Sequence, residues 1–228
     1  MNVAALDRPV WNMLTGPQAA LARGEGAARQ IDPAYGPFAA AQDGSDAAQA
    51  ALAALTSPGG RLWLIERHEW AAPAGMRVLR TAPLLQMVAA VPEPVRPDDR
   101  MTEALTEADA AEMAELALAT EPGPWGELTR HYGTFHGIRI DGRLAAMAGV
   151  RMRPAEHLQE VSGVCTWPEF RGQGLAGVLI RRVMADIAAA GRTPFLHSYA
   201  GNAKAIGLYR SLGFEPRREM VVTVLGRG

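Results

Sequence analysis

The sequence predicts an α/β (α+β) protein: a mixed central β-sheet flanked by helices, with a smaller N-terminal α/β domain. Three observations predict it. From about Met101 onward, segments with strand and helix periodicity follow one another in the order β-α-β-β-β-α-β-α-β, which packs helices on a mixed sheet. A glycine-rich turn, Trp167-Pro-Glu-Phe-Arg-Gly-Gln-Gly-Leu-Ala-Gly177, joins one of these strands to an amphipathic helix. The stretch Val91-Pro-Glu-Pro-Val-Arg-Pro97 carries three prolines in seven residues, which fix φ and cannot donate to a sheet, so it reads as a linker. The domains expected are therefore 1–92 and 98–228.

Residues 1–60 alternate Gly/Pro clusters with alanine-rich helical pieces. Asp46 is placed to cap a helix ending near Leu55. Residues 61–66 read as a strand, and 76–90 as another, interrupted near Pro83. After the linker, 101–105 is expected to be a strand, and Thr106 with Asp109 resembles a cap before the periodic Met113, Leu116 and Ala117. Residues 132–139 and 143–151 form a predicted hairpin around Asp141-Gly142. A strand at 160–166 precedes the turn and a helix over 171–190, with Ala176, Leu179, Ile180, Val183 and Ile187 on one face. Gly191 ends that helix. A strand at 194–199, a helix at 202–212 stopped by Gly213, and a strand at 214–225 complete the chain.

The 228 residues are 48% hydrophobic and 21% charged, ordinary for a globular protein. Lys and Arg total 23 against 24 Asp and Glu, which argues against a nucleic-acid partner or a polybasic membrane anchor. The one cysteine, Cys165, excludes an intrachain disulfide. Asp7, Arg8 and Pro9 stand where a signal peptide needs apolar residues, and no run approaches the roughly 18 apolar residues of a membrane helix. The expectation is a cytoplasmic protein with no membrane partner. His68, His131, His136, His157 and His197 show no metal-ligand spacing, so no metal is expected.

The chemistry concentrates in the glycine-rich turn. The first amides of a helix lack internal partners and carry its positive dipole end. Gly172 and Gly174 remove side chains that would block a ligand, and Arg171 adds positive charge, which together suit a diphosphate. Gly172-x-Gly174-x-x-Gly177 also matches a dinucleotide fingerprint. Against that reading, Pro168-Glu-Phe-Arg171 separates the glycines from the strand, and the next strand offers no ribose-binding acid. A P-loop is excluded because no Gly-Lys-Ser/Thr follows the glycines. The plain alternative is a glycine-rich turn with Arg171 solvated.

Arg171-x-x-Gly174-x-Ala176 resembles the pyrophosphate signature of the GCN5-related N-acetyltransferases (GNAT). Downstream, Asn202-Ala-Lys-Ala-Ile-Gly-Leu-Tyr209 followed by Leu212-Gly-Phe214 is similar to that family's second signature. The nearest flavour is the FR47-like branch. The likeness spans about 101–225, and Trp167 departs from it where a small or polar residue is usual. The first 90 residues carry neither motif and resemble the leading domain of that branch, a degenerate copy of the same fold.

The resemblance implies the GNAT acyl-CoA N-acyltransferase fold, acetyl-CoA as co-substrate and an amine acceptor, with a homodimer as the candidate assembly. It implies that the backbone of Val164, Cys165 and Thr166 pairs with the pantetheine arm between two splayed strands. Arg171, Gly172, Gln173, Gly174, Leu175 and Ala176 would then hold the diphosphate, and Asn202 would cap its helix, contact the arm, or do both. Gly163 marks either a close backbone approach or a packing site. Tyr209, two helical turns after Asn202, is the expected general acid for the leaving thiolate; its plainer role is a core aromatic. Glu160 is the expected general base, with His197 and Ser198 as alternatives. A covalent acyl-Cys165 is disfavoured for lack of a base partner. Trp125 and Trp167 either line an acceptor pocket or simply pack. The competing function is a catalytically silent acyl-CoA sensor or assembly module of the same fold.

Overall fold

A computed structural model of the chain describes residues 2–89, 96 and 101–228. The proline-rich linker expected at 91–97 lies outside the described residues except for Arg96. The leading part contains α1 (Pro9–Thr15), β1 (Ala22–Arg23), β2 (Ala28–Ile31), β3 (Ala39–Ala41), α2 (Asp46–Ala54), β4 (Arg61–Glu66) and β5 (Met76–Val88). The rest contains β6 (Glu103–Ala104), α3 (Ala110–Thr120), β7 (Phe135–Ile140), β8 (Arg143–Val150), β9 (Leu158–Thr166), α4 (Leu175–Ala189), β10 (Thr193–Tyr199), α5 (Ala203–Ser211) and β11 (Glu215–Arg227). From β6 on, this is the predicted order.

Local chemistry explains most element ends. The α2 cap is Ser45, whose hydroxyl accepts from Ala48 N, rather than the expected Asp46, which takes the first helical position instead. Thr106 and Asp109 form the expected capping box ahead of α3. Asp141 and Gly142 both have positive φ (51° and 79°), the backbone a two-residue β7–β8 turn demands. The helix expected from 171 begins only at Leu175, because Gly174 takes a left-handed conformation at its N-cap.

β1, β2 and β3 form a small antiparallel sheet. The main sheet has eight strands in the order β4-β11-β5-β10-β9-β8-β7-β6, antiparallel except for the β10–β9 pair. The boundary expected at 92–98 therefore does not divide the sheet: β5 sits between β10 and β11, and β4 pairs with β11. Pro83 does not interrupt β5: it pairs with Val221 of β11, its carbonyl accepts from Ala200 N at 3.0 Å, and its missing N–H falls just past the end of the β10 ladder at Leu84.

Side-chain alternation divides the core between the two faces of the sheet. On one face, Leu179, Ile180, Val183 and Ile187 of α4 pack with Ile138, Ala146, Val161 and Leu196. On the opposite face, Leu6, Val10 and Met13 pack with Phe38, Leu84, Phe195 and Val222. That second face also carries α3, whose Met113, Leu116 and Ala117 meet Met147 and Cys165. No helix among the described residues is long and apolar enough to cross a membrane.

Candidate active site

The site begins where two neighbouring strands part. β9 and β10 pair in parallel only at Leu158, Gln159 and Glu160 opposite Thr193, Pro194 and Phe195. Beyond that point β10 stays with β5 through Tyr199, and β9 stays with β8 through Thr166. The gap opens into a cavity of about 660 Å³ lined by Val164, Cys165 and Thr166 on one strand and His197, Ser198 and Tyr199 on the other. Gly163 makes the parting sharper. Its φ of +62° and the register shift between Ser162 and Cys165 mark a β-bulge, and a Cβ there would sit 2.7 Å from Phe135 Cε1. It is thus both a backbone irregularity and a packing site, against a β7 side chain.

At one end of the cavity lies the glycine-rich turn. Gly172 and Gly174 have φ of +82° and +79°, and an added Cβ at either would meet nothing within 4 Å. Glycine is needed here for backbone conformation, and the space in front of the turn stays open to a ligand. Gly177 and Val178 donate to Gly174 O at 3.0 and 3.3 Å, so the amides just before them are the free first amides of α4. Arg171 Nε donates to Thr166 O at 3.2 Å, anchoring the guanidinium beside the end of β9. Arg171, Gly172, Gly174, Leu175 and Ala176 all line the cavity; Gln173 is exposed and stands outside that lining.

α5 supplies the adjoining wall through Asn202, Lys204, Leu208 and Tyr209. Asn202 Oδ1 accepts from Ala205 N at 3.2 Å, so its side chain caps α5 from within the cavity wall. Tyr209 meets Phe214 edge-on, with ring centroids 6.0 Å apart. Burial pushes its phenol pKa up, which keeps the group protonated and able to donate at neutral pH. The backbone closes behind it, Phe214 N donating to Tyr209 O at 3.0 Å.

Glu160 is placed differently from a free base. It is fully buried, absent from the cavity lining, and both its oxygens are engaged. Oε1 accepts from His197 Nδ1 (2.8 Å) and Arg151 Nη2 (3.2 Å); Oε2 accepts from Arg151 Nε (2.9 Å) and Met152 N (3.3 Å). Burial opposes ionisation, but the Arg151 charge and the hydrogen bonds from Arg151 and His197 prevail and hold the carboxyl at about 2. A carboxylate this acidic and this occupied cannot take a proton from an amine directly. His197 stands between it and the cavity. Gln86 donates to Leu6 O (2.9 Å) and accepts from Arg217 through its oxygen (2.7 Å), so its Nε2 also donates to His197 Nε2 at 3.0 Å. That network assigns the imidazole proton to Nδ1 and the lone pair to Nε2.

Cys165 is no nucleophile in this setting: its Sγ faces Gly163 O, and burial pushes the thiol up to about 12. Of the two roles open to Trp125 and Trp167, the contacts favour packing. Trp125 meets Phe135 edge-on at 5.5 Å, and Trp167 lies under Arg143 at 4.3 Å; neither lines the main cavity. Among the described residues no three His, Cys, Asp or Glu side chains are grouped to hold a metal ion.

Several lining residues escaped sequence reasoning, among them Phe38, Trp63 and Lys204. Lys204 had a signal, being a cation in the first turn of the second signature helix. Glu121 also lines the cavity; the sequence offers the loop from Glu121 to Trp125 as an acceptor-specificity element, and Glu121 ends α3 where glycine or asparagine is usual. It adopts a left-handed conformation (φ 48°, ψ 55°), at a cost of about 1 kcal/mol for an L-residue.

A family model described as FR47-like protein matches residues 135–222. The crystal structure of a GNAT-family protein from Novosphingobium aromaticivorans is 59% identical, covers 98% of this chain and 99% of its own, and superposes with a TM-score of 0.93. The chain belongs to the GNAT family. Within it, the FR47-like match assigns the branch, and the GNAT fold accounts for the mixed sheet and the parted strands. A GCN5-related N-acetyltransferase from Kribbella flavida shares the fold at 23% identity, with 100% and 97% of the two chains covered and a TM-score of 0.66. A conserved protein of unknown function from Staphylococcus epidermidis does so at 10% identity, 90% and 93% coverage and a TM-score of 0.55. No curated protein matches the chain.

Proposed function

We propose that this GNAT protein is an acyl-CoA-dependent N-acyltransferase that moves acetyl from acetyl-CoA to a primary amine by direct attack. The observation that carries the reading is the union of two features in one cavity: the parting of β9 from β10 after Glu160 and Phe195, and the left-handed glycine turn at the head of α4. The turn amides, the α4 dipole and Arg171 suit the diphosphate. The unpaired edge at Val164, Cys165 and Thr166 suits the amides of a pantetheine arm, by the logic of strand addition. Gln173, facing solvent, contributes its backbone alone.

In the reaction the amine nitrogen bonds to the thioester carbonyl carbon, and the carbon–sulfur bond breaks. A backbone amide of Val164 or Cys165 stabilises the oxyanion. Tyr209 gives its proton to the departing thiolate. The proton leaving the amine passes to water in the cavity, while Glu160 holds His197 Nδ1–H and so fixes the ring that lines the cavity. Glu160 is in this reading a positioning residue. The 1–88 segment serves the same cavity from the other side, through Phe38, Trp63, Ile65 and Leu84.

Thermal melting with acetyl-CoA, CoA and NADH, followed by thiol release over a panel of amines, tests the reading. Acetyl-CoA and CoA should raise the melting temperature by mass action, and thiol should appear only with amine. A shift with NADH and none with either CoA species would overturn it.

A further inference from the structure

The cavity does not stop at the sheet. Its α4 and α5 walls lie on one face, whereas Phe38, Leu84 and Val222 belong to the core of the opposite face, as the alternation of Leu84 and Phe195 against Leu196 requires. The gap between β9 and β10 is thus a passage from a charged entrance to an apolar chamber. That chamber is walled by Phe38, Trp63, Ile65, Leu84 and Val222, with Phe38 and Trp63 edge-on at 6.5 Å. Its one buried cation, Arg151, lies over the Phe38 ring at 4.7 Å and is neutralised by Glu160, so it leaves the chamber without net charge. At the rim stands Glu121, on the same face as α3. It lines the cavity, is exposed, and has no ion-pair partner among the described residues. A carboxylate in a left-handed conformation at the negative end of a helix is disfavoured twice over, and no ion pair among the described residues compensates it.

We propose, on the acyltransfer reading above, that the acceptor is a primary amine borne on an apolar body, whose body seats against the wall made by Phe38 and Trp63 and whose ammonium is drawn in by Glu121. Charge and shape agree: an anionic rim over a neutral aromatic chamber complements a cationic head on a hydrophobic frame, and suits neither an amino acid's carboxylate nor a small polar amine.

The test is thiol release with 2-phenylethylamine, ethanolamine and glycine as acceptors, alongside melting with acetyl-CoA. 2-Phenylethylamine should exceed ethanolamine and glycine by at least about 10-fold in kcat/KM, the discrimination an apolar pocket supplies. Trp63→Ala should lower kcat/KM for 2-phenylethylamine by about 10-fold, chiefly through KM, while the rate with ethanolamine and the shift with acetyl-CoA hold; Trp63→Phe, which keeps an aromatic wall, should restore most of the loss. Glu121→Gln should raise KM several-fold for both amines with kcat retained. Equal or better use of ethanolamine or glycine would overturn the inference, as would a Trp63→Ala loss shared equally by both amines. A protein that acetyl-CoA stabilises but that ignores 2-phenylethylamine leaves acyltransfer standing and overturns this inference alone. One that acetyl-CoA does not stabilise overturns both.

Discussion

Glu160 Oε1 and His197 Nδ1 lie 2.8 Å apart, both buried, with Arg151 closing the carboxylate from its other side. The carboxyl is held at about 2 against an ordinary 4.5. A depressed carboxylate stabilises the fold fully above its unfolded value and loses that contribution as pH falls through its folded one. Stability should therefore decline between about pH 4.5 and 2. Glu160→Gln, which leaves Arg151 charged and uncompensated, should cost about 3–5 kcal/mol at neutral pH and flatten the acid limb. Urea unfolding of both proteins from pH 7 to pH 3 measures this; parallel pH dependences would refute it.

Tyr209→Phe should lower kcat by about 100-fold or more and leave the melting shift with acetyl-CoA intact. The phenol has no hydrogen bond to lose among the described residues, and its ring contact with Phe214 survives the change. A variant with full turnover would return Tyr209 to the plain role of a core aromatic.

Gly163→Ala places a methyl group 2.7 Å from Phe135 Cε1 on a backbone with φ +62°. The two effects together should cost about 2–4 kcal/mol, and straightening the bulge should weaken acetyl-CoA binding as well. Melting with and without acetyl-CoA separates them. An unchanged melting temperature would mean that the bulge is soft.

Glu121→Gly should do the opposite. Relief of a left-handed glutamate at the end of α3 should raise stability by about 1 kcal/mol while weakening use of the amine. Chemical denaturation and KM read the two effects independently, and a destabilised variant would show that the glutamate side chain has a packing role.

Much of this was legible in the chain. The glycine turn and the α4 face at Leu179, Ile180, Val183 and Ile187 are local patterns, as is the Asp141-Gly142 hairpin, and local patterns survive folding. Smaller choices were decided by competition between neighbours: Ser45 over Asp46 for a cap, and a two-residue β6 where five residues were expected. What could not be read were pairings between distant segments. Nothing around Leu84 announces that it lies beside Tyr199, nor around Phe38 that it covers Arg151. Glu160 was visible as an acid entering a strand, but the guanidinium and the imidazole that disarm it come from the segment after β8 and from β10.

The placing of β5 between β10 and β11 bears on how the chain is made. On the ribosome β4 and β5 emerge early, yet their sheet partners are β10 and β11, the last two strands of the molecule. At ordinary synthesis rates they wait on the order of ten seconds with their hydrogen-bonding edges uncovered. Nascent chains halted before residue 193 should therefore be held by chaperones or lost to proteases, and full-length release should be the moment at which the apolar chamber first exists.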